Sequence, residues 1–303
     1  MEAESPVRSN LLIYHKYMNT KFHRYFTLSL LITAILIWLA VFSSLSDSRL
    51  KFYALDVGQG DSIFIETPHK MQVLIDGGPD MKVLGQLSAV MPFYDRNIDL
   101  MILTHPQEDH MFGLVEVLKR YRVGRVLMTG VNYPTGTYKE FKRVIEEKNI
   151  PVTIARAGQK INLGDGALID ILYPFENISG TDFAGDVNDT SIAALVSFGA
   201  EKFLTMGDAG IKEETEIANS GQNTDIDVLK VSHHGSRFST SQFFLEKTTP
   251  AITLISAGAR NRYGHPTKET LERLADIPLY RTDMQGRIAV TTDGKGLAVK
   301  TER

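Results

Sequence analysis

Two kinds of apolar pattern succeed each other along the chain. Residues 26–42, Phe-Thr-Leu-Ser-Leu-Leu-Ile-Thr-Ala-Ile-Leu-Ile-Trp-Leu-Ala-Val-Phe, carry no charge, and no polar face breaks the run as it would in a buried globular helix. With Tyr25 and the serines up to Ser46, the uncharged stretch reaches the ~20 residues that a helix needs to cross a bilayer. Trp38 and the aromatics at the ends suit the two interface regions. Beyond Leu50 the apolar runs become short. Segments 51–57, 62–66 and 72–76 are apolar or alternating and are separated by Gly-Gln-Gly-Asp and Thr-Pro-His-Lys, which predicts an antiparallel meander. Helices over 82–90, 113–121 and 137–148 then lead into strands over 99–104, 124–129 and 151–155. Strands over 160–174, 191–199 and 201–207 follow, then alternating helices (211–219, 241–248, 267–275) and strands (226–232, 251–257). A last strand pair, 286–292 and 296–301, turns at Asp293-Gly294. No repeat or long linker interrupts this order, so one domain with two sheets and helices on the outer faces is expected.

The charges beside the apolar run orient it. Arg8, Lys16, Lys21 and Arg24 precede it against Glu2 and Glu4, whereas Asp47, Arg49 and Lys51 after it are mixed in sign. The positive-inside tendency predicts a cytoplasmic segment 1–25, a transmembrane anchor 26–46 and a domain 50–303 outside the membrane. A cleaved signal peptide competes, because Ser44 and Ser46 could form a small-residue cleavage site. The leader before the run is long for that, which favours an uncleaved anchor, and both readings export the domain. The rest of the composition excludes more than it assigns. A net charge of −3 over 303 residues is no basic signature, so any nucleic-acid contact needs a local patch. With no cysteine, disulfides, thiolate ligands and a cysteine nucleophile are excluded, and a metal must be held by His, Asp, Asn or Glu.

Five of the 8 histidines fall in three short polar segments, 105–110, 233–234 and 265. The first, Thr104-His105-Pro106-Gln107-Glu108-Asp109-His110, follows the apolar run Leu100–Leu103 and sits where a buried strand ends. Two imidazoles and a carboxylate so close together offer neutral nitrogen and anionic oxygen to a divalent ion. Taken alone, the segment also reads as a polar strand-to-helix loop with incidental histidines. Three other strand ends add to it: Gly207-Asp208-Ala209, Ser232-His233-His234-Gly235-Ser236, and Asn261-Arg262-Tyr263-Gly264-His265-Pro266. Polar groups at the ends of neighbouring strands converge on one sheet edge, where loops build sites.

Together these segments resemble the metallo-β-lactamase superfamily, and within it the extracytoplasmic domain of ComEC-like competence proteins. The resemblance runs from about Phe52 to the C-terminus. It includes Leu55-Asp56-Val57-Gly58-Gln59-Gly60-Asp61-Ser62, Leu74-Ile75-Asp76-Gly77-Gly78, Asn188-Asp189-Thr190-Ser191 and Leu229-Lys230-Val231-Ser232-His233-His234-Gly235-Ser236. It implies an α+β fold, the four-layer αββα sandwich. By the same resemblance Asp109, His110, Asp208 and His233 would complete one metal site, with Asp208 shared. The superfamily motif His-x-His-x-Asp-His is incomplete here, because Gln107 stands at its second histidine. A third superfamily histidine is replaced by Asn188 or Asp189. The other site is left with His105, Asp208 and Asp189, so one well-formed site is expected beside one that is weak, oxygen-rich or empty, better suited to manganese or magnesium than to zinc.

Asp61 and Asp76 are expected to orient histidine N–H groups or cap turns. Asp109, His234 and His265 are the candidate catalytic groups, and Ser236, Asn261 and Arg262 the candidate substrate contacts, able to hold a phosphate or protonate a leaving oxygen. His265 reads equally well as a loop histidine, and His15, His23 and His69 as incidental. Gly58 and Gly60 lack the strand-turn-helix context of a dinucleotide fingerprint. The leading expectation is an extracytoplasmic, metal-dependent hydrolase with one or two divalent ions, zinc or manganese, cutting the phosphodiesters of DNA during uptake. One membrane anchor cannot form a pore, so a separate channel protein is an expected partner. The alternatives are a hydrolase of a cell-wall phosphoester or lactone, and a DNA-binding module without turnover, which Gln107 motivates.

Overall fold

The computed structural model describes the backbone of residues 6–44 and 47–303 and the side chains of 20–40 and 47–303. Ser46 and the side chains of Ser44, Arg8, Lys16 and His15, on which parts of the signal-peptide, orientation and histidine readings rest, lie outside the described residues. The chain divides into two compact units, Met1–Asp47 and Ser48–Arg303. The first holds one helix, α1 (Pro6–Ser44), whose stretch Thr20–Ala40 has 21 residues and is long and apolar enough to cross a membrane. At ~1.5 Å per residue such a stretch is about as long as the ~30 Å hydrocarbon core is thick.

The second unit is built on two large sheets, with a separate two-stranded parallel pair, Asn97–Ile98 with Arg122–Val123. Strands β1 (Leu50–Ala54), β2 (Ile63–Glu66) and β3 (Gln72–Ile75) form the expected meander. Helix α2 (Lys82–Val90) and the two-residue strand β4 (Asn97–Ile98) lead to β5 (Leu100–Leu103). Helix α3 (Glu108–Arg120) and β6 (Arg122–Val123) lead to β7 (Val126–Met128), and α4 (Gly136–Glu147) to β8 (Val152–Ile154). Strands β9 (Lys160–Gly164), β10 (Ala167–Tyr173), β11 (Ala193–Phe198) and β12 (Glu201–Thr205) start the second sheet. It continues through α5 (Ile211–Asn219), β13 (Val228–Lys230), α6 (Gln242–Thr248), β14 (Ile252–Ile255), α7 (Lys268–Arg273) and β15 (Leu279–Arg281). After the single turn α8 (Thr282–Gln285), strands β16 (Ile288–Thr292) and β17 (Leu297–Thr301) return to pair with β1.

The first sheet has 8 strands in the order β17-β16-β1-β2-β3-β5-β7-β8, and the second has 7 in the order β15-β14-β13-β12-β11-β10-β9. Each is antiparallel at one end and parallel at the other, from β3 to β8 in the first and from β12 to β15 in the second. The period-2 pattern explains the layering. Ile63, Ile65, Val73, Ile75 and Ile102 turn into a core between the sheets, where Phe52 stacks on Phe203 with ring centroids 5.1 Å apart. Phe64, Leu74, Met101 and Leu103 turn the other way, onto Val83 and Leu87 of α2, Leu114 and Leu118 of α3 and Phe141 of α4. Leu204 and Leu229 likewise meet Ile217 of α5 and Phe244 and Leu245 of α6. The result is the expected four-layer αββα sandwich.

Three elements differ from the sequence reading. The stretch 160–174 is a hairpin, because Asp165 (φ 57°) and Gly166 (φ 82°) both take the left-handed conformation that a tight two-residue turn requires. Strand β15 and turn α8 occupy 279–285, where the sequence pattern predicts no element. Helix α3 starts at Glu108 rather than near Gly113, so Asp109 and His110 sit on its first turn. Gly113 looked like a helix start but is interior to α3, where a Cβ would lie 1.9 Å from the Gly77 carbonyl oxygen. Gly77 in turn donates its N–H to the His110 carbonyl at 2.7 Å, and Gly113 donates to Gly78 at 3.0 Å. Gly85, exposed in α2, has nothing within 4 Å of where a Cβ would go. Gly85→Ala should therefore stabilise the domain by about 0.5–1 kcal/mol through helix propensity. Gly113→Ala should destabilise it by roughly 1–3 kcal/mol despite the same propensity gain, because α3 must move off Gly77. Thermal unfolding of the two variants checks the contrast, and equal melting temperatures would refute it.

Candidate metal centre

The chemistry gathers where parallel strands of both sheets end. Asp76 follows β3, His105 follows β5, Asp208 follows β12 and the pair His233-His234 follows β13. Asp61 comes from the loop between β1 and β2, and Asp109 and His110 from the first turn of α3. Backbone bonds fix that turn against the loop: Asp61 donates its N–H to the Asp109 carbonyl at 3.3 Å, and Gly78 donates to the Asp61 carbonyl at 2.9 Å. Gly60 permits the approach, since a Cβ there would fall 2.1 Å from the Asp109 carbonyl oxygen. The other half of the site uses strain. His233 (φ 50°, ψ 43°) and His234 (φ 54°, ψ 22°) are consecutive left-handed residues within a single turn, Ser232–Gly235. Non-glycine residues rarely hold this conformation, and it concentrates at functional sites. The His233 N–H bonds the Gly207 carbonyl at 3.1 Å, and the Ser232 hydroxyl donates to the carbonyls of Gly207 and Ala209, tying the histidine turn to the Asp208 turn.

One oxygen or nitrogen from each of Asp109, His110, Asp208 and His234 lies within 4.8 Å of the others. His110 Nε2 is 3.2 Å from Asp208 Oδ1, and His234 Nε2 is 3.4 Å from both Asp208 Oδ2 and Asp109 Oδ2. The tautomers follow from the opposite ring nitrogens. His110 Nδ1 donates to Asp76 Oδ2 at 2.8 Å. His234 Nδ1 donates to the Ser256 carbonyl at 3.1 Å and faces Asp61 Oδ1 at 3.2 Å. In the neutral ring each arrangement leaves Nε2 with a lone pair aimed into the cluster, the usual way a ligating histidine is held. His105 follows the same logic. The Thr104 hydroxyl donates to Asp76 Oδ2 at 2.7 Å, so it accepts from His105 Nδ1, 3.1 Å away. His105 Nε2, His110 Nε2, His234 Nε2 and Asp208 Oδ1 are buried without a hydrogen-bond partner. Buried polar atoms are almost always satisfied, so three orphans within the four-residue cluster, with the His105 ring beside His110, call for a missing partner. Two anionic oxygens and two imidazole nitrogens suit a divalent cation such as zinc or manganese, whose charge would balance Asp109 and Asp208.

The electrostatics of the ion-free centre agree. Burial alone would push His110 and His234 down. For His110 the carboxylates of Asp208 and Asp76, and for His234 those of Asp208 and Asp61, outweigh it and hold both well above the usual imidazole range. Burial would raise Asp208, but His234 and His110 hold it well below the usual carboxylate range. His105 is pushed down to about 3 by burial and by His110 beside it. Protons on His110 and His234 thus do part of what a cation would do.

The remaining expected residues are distributed unequally. His233 is partly exposed, with Nε2 3.8 Å from Asp208 Oδ2. With His234, His265, Asp109, Asp208, Gln59, Gln107 and Tyr263 it lines a small cavity of about 80 Å³ over the cluster. Burial and the neighbouring His234 and His233 push His265 down to about 4. Asn261 uses its amide within its own loop, accepting from the N–H groups of Tyr263 and His265 and donating to the carbonyls of Gly258 and His265. Arg262 lies over the Tyr263 ring at 5.1 Å, and buried Ser236 accepts from the Phe238 N–H. Asp189 stands apart from the four-residue cluster, with Asp186, Lys212 and Glu216 as its charged neighbours. Asn188 is buried with its Oδ1 unpartnered. His69 lies against Asp165, and His23 is exposed on α1. Sequence reasoning gave no role to Lys230, Thr104, Ser191 or Tyr263. A lysine inside the apolar strand Val228–Val231 was the signal for the first.

Raised imidazole values contribute stability that is fully present below about pH 6.5 and lost as the pH rises through the folded-state values. At pH 7 an incoming cation must displace those protons. Zinc or manganese titrated into the chelator-treated chain should release about two protons per ion and bind more tightly as the pH rises towards the raised folded-state values of His110 and His234. Calorimetry in buffers of different ionisation enthalpy measures this, and binding without proton release would remove His110 and His234 as ligands.

Residues 55–259 match the family model of the Metallo-beta-lactamase superfamily. The chain is 30% identical over 259 residues to ComE operon protein 3 of Bacillus subtilis, covering 77% of this chain and 32% of that protein. It is 28% identical over 255 residues to competence protein ComA of Neisseria gonorrhoeae, covering 82% and 33%. It thus spans about a third of the length of these curated relatives. Among solved structures, the metallo-beta-lactamase fold protein YhfI from Bacillus subtilis superposes with a TM-score of 0.56 at 11% identity, over 81% of this chain and all of that one. With the fold, the histidine and aspartate cluster and more than half of the sequence in agreement, this chain belongs to the metallo-β-lactamase superfamily and is related to competence proteins.

Proposed function

We propose that the domain hydrolyses phosphodiester bonds of DNA on the outer side of the cytoplasmic membrane, during DNA uptake. The observation that carries this reading is the cluster of Asp109, His110, Asp208 and His234 on the floor of a polar cavity that His233 and His265 also line. The kinship with a protein named for competence supports DNA as the substrate, and the apolar stretch Thr20–Ala40, with Lys21 and Arg24 at its start, supports an anchor. A cytoplasmic N-terminus, an exported domain after residue 47 and a separate channel partner complete the proposal.

A bound divalent ion supplies a water of lowered pKa and a Lewis acid for the phosphoryl oxygens. The chain's own residues do the rest. Asp76 and Asp61 hold His110 and His234 with Nε2 turned inward. Asp109 is held ionised, against the opposing effect of burial, by His234 and His110, and is placed to accept a proton from a nucleophile between it and the substrate. His233 reaches the cavity from the other wall and is the group we assign to protonating the leaving oxygen, a role its neighbour His234 is too enclosed to fill. Tyr263, which lines the cavity, and Arg262 over its ring meet the strand. His105 and Gln107 mark a weaker second position. This incomplete half favours, as a second reading, a DNA-binding module without turnover.

The test is cleavage of single- and double-stranded DNA by the full chain in detergent, with Zn²⁺ or Mn²⁺ added. His234→Ala should abolish both metal binding and cleavage. His233→Ala should keep the metal and lower kcat by about 10²–10⁴-fold. DNA bound but never cut under either metal would establish the second reading. Turnover of a generic phosphodiester or lactone, with DNA untouched, would replace DNA as the substrate.

A further inference from the structure

Lys230 is the one wholly buried lysine among the described residues, 1% exposed, and none of the steps above uses it. Its Nζ lies 2.7 Å from Asp61 Oδ2, itself 1% exposed, and donates to the Val231 carbonyl at 2.9 Å. The two partners belong to different sheets. Lys230 ends β13 in the second, while Asp61 closes the loop that enters β2 in the first. Each is rigidly joined to part of the donor set. Asp61 is bonded through its backbone to Asp109 and Gly78, and its free Oδ1 faces His234 Nδ1 at 3.2 Å. Lys230 stands three residues before the His233-His234 turn, on the same strand end. The ion pair therefore ties the half of the centre that carries Asp109 and His110 to the half that carries Asp208 and His234.

We infer that Lys230 is a positioning residue for the metal centre: through Asp61 it sets the separation of the two halves of the donor set and the aim of His234. It touches neither the cavity nor any ligand atom, and it acts only through Asp61. This inference rests on the metal-centre reading. A simple charge-balancing role is the bland alternative, since a buried aspartate needs a counter-charge whatever else it does. The two roles separate in a pair of variants. Lys230→Met removes the tether and leaves Asp61 uncompensated. Asp61→Asn with Lys230→Met removes the tether and the stranded charge together, while the asparagine oxygen can still accept from His234 Nδ1.

The experiment titrates Co²⁺ into the full-length chain in detergent, reading affinity by calorimetry and ligand geometry by the visible absorption bands, alongside thermal unfolding of the ion-free protein. Lys230→Met is expected to unfold at lower temperature and to bind Co²⁺ about 10–100-fold more weakly, the usual effect of losing a group that orients a ligand. The double variant is expected to recover the melting temperature but to keep the weakened affinity and altered bands. Wild-type affinity and bands in the double variant would overturn the inference, leaving Lys230 as a counter-charge alone. Should Lys230→Met fail to fold, the double variant decides. Lys230→Arg, which keeps the charge and changes the head group, is then expected to fold and to bind Co²⁺ with shifted bands, and unshifted bands would count against positioning. Failure of the wild-type chain to bind Co²⁺ would sink the metal-centre reading itself, an outcome distinct from equal binding by all variants.

Discussion

Three carboxylates, Asp61, Asp76 and Asp208, are carried out of bulk water to the line where two sheets end, with Asp109 half-buried beside them, and everything nearby serves to make that tolerable. An uncompensated buried charge costs about 3–5 kcal/mol, a large share of a net stability of only about 5–15 kcal/mol. Each carboxylate has a separate answer. Lys230 meets Asp61, and Thr104 with His110 meets Asp76. Asp208 and Asp109 are met by the Nε2 edges of His110 and His234. The first two answers are internal and permanent. The third is provisional, because protons and a divalent cation compete for it.

The backbone around the centre is correspondingly special. Gly60, Gly77 and Gly113 let the first turn of α3 press against the loops of the first sheet at distances that no side chain would allow. The left-handed histidine pair is held by bonds from Ser232 and His233 to the Asp208 turn. Packing thus supplies the precision on one side, and hydrogen bonding to a strained turn supplies it on the other.

Much of this was legible in the chain. Period-2 runs and their turn residues gave the meander and the parallel strands, and histidines and aspartates at strand ends pointed to the residues among which Asp109, His110, Asp208 and His234 come together. What stayed illegible depended on contacts distant in sequence. Gly113 read as a boundary, and only its proximity to Gly77 explains a glycine inside a helix. Which of His233 and His234 turns inward is a matter of two φ angles, invisible to spacing, and the structure puts His234 in the cluster and His233 on the cavity wall. Asp189 belongs to the expected ligand set, yet its charged neighbours are Asp186, Lys212 and Glu216. The Asp165-Gly166 turn, by contrast, was a plain local signal that the long apolar stretch around it obscured.

The cavity over the cluster is small, about 80 Å³, and Gln59, Gln107 and Tyr263 share its wall with Asp109, Asp208, His233, His234 and His265. Asp61, Asp76 and Lys230 do not line it. The wall and the ion pairs that hold the ligands are therefore separate sets of residues, so its shape and polarity at Gln59, Gln107 and Tyr263 can change while the paired Asp61, Asp76 and Lys230 stay as they are.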